Sequence, residues 1–192
     1  MPDIEKILKK VRKCVICKAD LPHGARPVVQ CSAEARILII GQAPGRRVHE
    51  SGIPWDDPSG RRLREWMGVS DDEFYSSGQI ALVPMGFCYP GKGRSGDLPP
   101  RKECAPEWHE KLIDQLPRIE LTLLLSQYAH SYYLKDRCCS TLTETVKAWR
   151  EFVPACLPLP HPSPRNNIWL KKNAWFGKEV VPYLRARVRE LI

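Results

Sequence analysis

Residues 36–45 read RILIIGQAPG. From Ile37 to Ile40 every side chain is apolar and most are β-branched, and Gly41 closes the run. A run this short, apolar on both faces, reads as a strand covered on both sides, as in parallel sheets. Working outward, QIALVP (79–84) and IELTLLLS (119–126) repeat the pattern, and VPACLPL (153–159) is a further short extended run. Helical patterns fill the intervals: 4–13, 59–68 with Ser59 near its start and Gly68 at its end, a capped turn at 70–76, and 101–116. Others run from the end of the third strand to about 135, then 141–152, 165–172 and 174–191. Strand and helix alternate, which predicts an α/β class with a mainly parallel sheet. A length of 192 residues fits one domain, 1–192.

Three long loops leave the predicted strands: GQAPGRRVHESGIPWDDPSG (41–60), PMGFCYPGKGRSGDLPPR (84–101) and PHPSPRNN (160–167). In an open parallel sheet the carboxyl ends of the strands share one edge, and ligands bind there. Loops rich in Gly, Pro, Ser, His and Arg that converge on that edge outline a site.

Cysteines mark a second feature. Cys14 and Cys17 form a C-x2-C pair, and Cys88 and Cys104 bracket fifteen residues. Thiolates are soft anionic ligands, so the four predict a metal centre that staples the N-terminus to the region near residue 100. The spacing admits an iron–sulfur cluster or a four-cysteine zinc site. Cys31, Cys138, Cys139 and Cys156 lack ligand-like spacing and read as small apolar bystanders. The segment MPDIEKILKKVRKC is charged and amphipathic, unlike a secretory signal, and no apolar run reaches eighteen residues. A cytoplasmic protein without membrane contact is expected, and eight cysteines there argue against a disulfide framework. A net charge of +8 suits a polyanion such as DNA or RNA.

Taken together, these motifs resemble the uracil-DNA glycosylase superfamily, above all its iron–sulfur-containing bacterial and archaeal branch, family 4. That branch opens with C-x2-C, then has a strand leading into G-E-A-P-G, a G-x-P-F segment with a further Gly, a C-x15-C pair and a late H-P motif. Here Cys14/Cys17 precede Ile37–Ile40 and Gly41-Gln42-Ala43-Pro44-Gly45; Gly52-Ile53-Pro54-Trp55 and Gly60 follow; Cys88/Cys104 keep the interval; and His161-Pro162-Ser163-Pro164 ends the series. The resemblance spans about residues 14–170. It implies a three-layer α/β/α fold on a four-stranded sheet, and a [4Fe–4S] cluster on the four cysteines. It also implies a monofunctional glycosylase, acting as a monomer, that removes a deaminated base, uracil first, from DNA.

Each residue then acquires an expected role. Leaving uracil carries negative charge, and a donor at O2 stabilises it; His161 stands at that position. Trp55 takes the place of the aromatic that stacks on the flipped base. Gly41, Ala43 and Gly45 offer backbone amides to the base and the attacking water, with Gln42 at the motif's acidic position. Met85 and Gly86 are expected beside the base; Ser59, Gly60, Arg61 and Ser163 on phosphates; Arg165 as a wedge into the duplex. The basic residues of all three loops, such as Arg46, Arg47, Lys92 and Arg94, are expected to gather on one face.

Two departures alter this outline. Family 4 carries Glu-Asp where this chain has Val48-His49, so no carboxylate stands at the usual water-activating positions and His49 or Glu50 would have to serve, or water would attack with little help. Family 4 also reads uracil through an Asn four residues before the third cysteine, where this chain has Pro84. Either Gln127 or an amide near Met85–Phe87 reads the base, or the base is another lesion such as hypoxanthine or xanthine. A non-catalytic DNA-binding or redox-sensing protein built on the same metal centre is the alternative of another class.

Overall fold

The computed structural model describes residues 4–192. In chain order the elements are α1 (Ile4–Arg12), β1 (Ile37–Ile40), α2 (Arg46–Ser51), α3 (Pro58–Met67), α4 (Asp71–Tyr75), β2 (Ile80–Leu82), α5 (Cys104–Ile113), β3 (Leu121–Leu125), α6 (Gln127–Leu134), α7 (Leu142–Lys147), β4 (Cys156–Leu159), α8 (Asn167–Lys172) and α9 (Val181–Arg189). The four strands form one sheet in the order β2-β1-β3-β4, and each neighbouring pair is parallel. All four strands therefore end on one edge.

Alternation along each strand builds the layers. Ile37, Ile39, Leu121 and Leu123 face one side, where they pack with Leu63 and Trp66 of α3 and Leu184 of α9. Leu38, Ile40 and Leu124 face the other side and meet Leu8 of α1 and Leu112 of α5. Every residue of β1 is buried, which is why its sequence shows no polar face. The result is helix, sheet, helix, as expected.

Local chemistry sets several boundaries. Asp57 caps α3: its Oδ1 accepts from the Gly60 amide at 2.8 Å, and Pro58 occupies the first turn. Ser70 and Glu73 form a capping box on α4, and Thr141 and Glu144 repeat it on α7. One expectation is corrected here. Residues 41–60 read as continuous loop, yet Arg46–Ser51 forms α2, with Gly45 before it and Gly52 in the left-handed region after it. Six residues carry too little periodicity to stand out. The 84–101 loop also holds an isolated antiparallel bridge between Lys92 and Asp97.

Candidate active site

A cavity of about 380 Å³ opens where β1, β2 and β4 end. Gly41 and Gln42 leave β1 into its floor, Pro84 lies just past β2, and His161 lies just past β4. The three parallel strands deliver these residues to the same rim.

Trp55 and His161 meet there. Their ring centroids are 5.7 Å apart and their planes 29° from parallel. Trp55 has a φ of 59°, which side chains other than glycine rarely adopt, so its surroundings must hold it. They do so from several directions. The Gly60 α-carbon lies so close under Trp55 that a methyl group there would fall 1.8 Å from the Trp55 carbonyl oxygen. Gly41 backs the indole, and a methyl there would reach its Cζ2 at 2.7 Å. Arg64 donates to the Trp55 carbonyl at 3.4 Å, and the Tyr75 hydroxyl donates to that of Pro54 at 2.8 Å.

His161 is equally fixed. Its Nδ1 accepts from the Ser163 amide at 3.2 Å, and Asn166 Nδ2 donates to its carbonyl at 2.7 Å. Desolvation pushes its pKa down to about 4, so the ring is neutral near pH 7. With Nδ1 accepting, the single ring proton sits on Nε2, which has no partner among the described residues. A neutral donor therefore lines the cavity. Arg62 of α3 donates to the Ser163 carbonyl at 3.0 Å and ties this loop to the helix that supports Trp55.

A model of the uracil DNA glycosylase superfamily matches residues 28–185. The chain belongs to the uracil DNA glycosylase superfamily. It is similar to the type-4 uracil-DNA glycosylase of Saccharolobus solfataricus, with 24% identity over 139 residues, 70% of this chain and 61% of that protein. The chain thus spans about three fifths of that relative's length. Cys88 and Cys104 fall inside the segment matched to the superfamily, whereas Cys14 and Cys17 precede it.

Within this superfamily frame, the expected site residues divide into two groups. Gln42, Ala43, Gly45, Ser59, Ser163 and Arg165 line the cavity together with Gly41, Trp55 and His161. Gly60, Arg61, His49, Met85 and Gly86 do not. Gly60 acts beneath Trp55, and Arg61 points to solvent from α3. His49 turns toward the rings of His23 and Tyr89, at 6.1 and 6.0 Å, and burial with the Arg26 guanidinium lowers its pKa. Glu50 pairs with Arg46 at 2.8 Å.

The expected amide readers are engaged elsewhere. Met85 donates to the Gly41 carbonyl at 2.9 Å, Gly86 to that of Gln42 at 3.0 Å, and Phe87 to the Cys104 sulfur at 3.3 Å. None is free to face a base. Gln127 starts α6 on an exposed turn away from the cavity lining. The Pro84 carbonyl is taken too: buried His109 of α5 holds it through Nε2 at 3.0 Å, while His109 Nδ1 meets the Tyr133 hydroxyl at 2.5 Å. Sequence reading missed Asn166, Asp57 and Asp97, all of which line the cavity. Asp57 carried one signal, an Asp-Pro pair at a helix start.

A second, smaller cavity gathers Cys14, Cys17, Cys88 and Cys104 against Leu21, Phe87 and Arg101. Trp108 Nε1 donates to Cys14 Sγ at 3.4 Å, and the Phe87 amide serves Cys104. Burial pushes the Cys88 thiol up to about 11 and that of Cys104 to about 12, so a bound cation would have to displace those protons. Among the described residues, no three His, Cys, Asp or Glu side chains converge on a single-ion site. Also among them, no helix is long and apolar enough to cross a membrane.

Proposed function

We propose that this protein is a monofunctional DNA glycosylase that hydrolyses the N-glycosidic bond of a deaminated base, uracil first, and leaves an abasic site. The stacked pair of Trp55 and His161 in a cavity at the sheet's carboxyl edge carries the reading. A flipped base presses its face on the indole. Neutral His161 Nε2–H donates to the oxygen where charge gathers as the bond breaks, and a fixed donor of this kind contributes about 3–4 kcal/mol to the barrier. Backbone amides of the Gly41–Gly45 loop, of which Gly41, Gln42, Ala43 and Gly45 line the cavity, assist the base and the water. Ser59, Ser163 and Arg165 contact backbone phosphates and the duplex around the extruded nucleotide, with exposed Arg61 beside them.

The four cysteines fit a [4Fe–4S] cluster. Four thiols surround one cavity and two of them receive N–H donors, a soft, hydrogen-bonded sulfur set of the kind that holds such a cluster, with four-cysteine zinc the alternative occupant. Bound there, the cluster supplies cross-links between residues 14–17 and 88–104.

Oligonucleotides carrying single uracil, hypoxanthine, xanthine or mismatched bases test the reading, with strand scission by alkali after incubation. Uracil release that falls on the order of 100-fold in His161→Ala supports it. Equal scission by wild type and His161→Ala refutes it.

A further inference from the structure

Within the reading above, the attacking water lacks a base at the motif positions. Gln42 is a neutral amide, His49 packs on His23 and Tyr89 outside the cavity, and Glu50 sits in an ion pair with Arg46. Two carboxylates do line the cavity, Asp57 and Asp97. Both approach the GQAPG loop from outside it: a methyl placed on Gly45 would lie 3.6 Å from Asp97 Oδ2 and 4.0 Å from Asp57 Oδ2.

The two are held differently. Asp97 sits in the isolated bridge between Cys88 and Cys104, is exposed, and its Oδ1 receives the Tyr89 hydroxyl at a long 3.4 Å. Asp57 is half-buried at the head of α3, two residues after Trp55, and the Gly60 amide clamps its Oδ1 at 2.8 Å. That bond engages Oδ1, whereas no hydrogen bond engages Oδ2 among the described residues, and the side chain lines the cavity. The same first turn carries Gly60 under Trp55, so the carboxylate and the stacking platform are set by one segment. His161, with its unpartnered Nε2–H, lines the same cavity.

We propose that Asp57 is the catalytic residue that holds the attacking water and accepts its proton. The step balances as follows. The C1′–N1 bond breaks, and its electron pair leaves with uracil as an anion bonded to His161. Water oxygen bonds to C1′, its proton passes to Asp57 Oδ2, and solvent returns that proton to the base. The products are an abasic sugar and neutral uracil. The loop after Trp55 thus supplies the carboxylate that the GQAPG motif lacks.

Asp57→Asn tests this cleanly, because asparagine caps helices as well as aspartate and keeps an oxygen for the Gly60 amide. Single-turnover release from a uracil oligonucleotide, affinity for the same DNA carrying a non-cleavable 2′-fluoro deoxyuridine, and melting temperature are measured for wild type, Asp57→Asn and Asp97→Asn. The expected result is a rate loss on the order of 100-fold or more in Asp57→Asn, well beyond any loss in Asp97→Asn, with affinity and melting temperature retained. Asp57→Asn turning over within about threefold of wild type overturns the assignment, as does a loss confined to Asp97→Asn or one matched by a fall in melting temperature. A wild-type protein that releases no base at all refutes the glycosylase reading itself, a result distinct from any of these.

Discussion

Gly60→Ala is a one-methyl change with a calculable effect. The new carbon would lie 1.8 Å from the Trp55 carbonyl oxygen, 2.6 Å from its carbon and 2.8 Å from Trp55 Cβ. Reaching even 3.0 Å requires a displacement of about 1.2 Å, and the neighbouring atoms are backbone that cannot rotate away. Trp55 has little freedom to absorb it, since Gly41 backs its indole and Arg64 and Tyr75 hold the adjoining carbonyls. Overpacking of this kind costs about 1–3 kcal/mol, or roughly 2–12 °C in melting temperature for a chain of this size. A shift of about 1 Å in a substrate platform costs on the order of 100-fold in rate. Differential scanning fluorimetry and single-turnover uracil release measure the two effects. Gly177→Ala is the control, because a methyl there meets nothing within 4 Å. A Gly60→Ala protein with wild-type melting temperature and rate would show that Trp55 is not seated as described.

Three further outcomes follow from other parts of the molecule. His109 is buried and its pKa is pushed from 6.5 to about 4 by desolvation, so the unfolded chain takes up the proton first as pH falls. The stability from its neutral form is complete above pH 6.5 and lost progressively toward pH 4, up to about 3 kcal/mol; His109→Phe should flatten the melting-temperature profile over that range, and an unchanged slope would count against it. Cys88→Ser should lower iron bound per chain and speed proteolytic cleavage between residues 88 and 104, whereas unchanged cleavage would detach the thiols from loop order. Arg165→Ala should weaken DNA binding and reduce the salt dependence of log affinity by about one phosphate contact, read by fluorescence anisotropy across a salt series; an unchanged slope removes Arg165 from the interface.

The parallel sheet was legible because its strands are buried on both faces, and uninterrupted apolar runs such as Ile37–Ile40 have few other uses. The meeting of Trp55 and His161 was legible for the same reason: both follow parallel strands, so both arrive at one edge. What escaped reading depends on partners remote in sequence. Nothing in Met85 or Gly86 reveals that the β1 extension accepts their amides, and nothing in Pro84 reveals that His109 holds its carbonyl. The direction of His49 likewise depends on α2, a helix of six residues too short to announce itself. Asp57 was visible as a residue, but only the Gly60 bond shows which of its oxygens is left over.

The bridge pairing Lys92 with Asp97 lies in the segment that joins the two cavities. Its segment begins at Cys88 and ends at Cys104, while its middle, at Asp97 and Leu98, walls the larger cavity and accepts Arg165 at the Ser95 carbonyl. If the four thiols hold a cluster, releasing it would slacken one wall of the cavity while Trp55 and His161 stay anchored by α3 and the 160–167 loop.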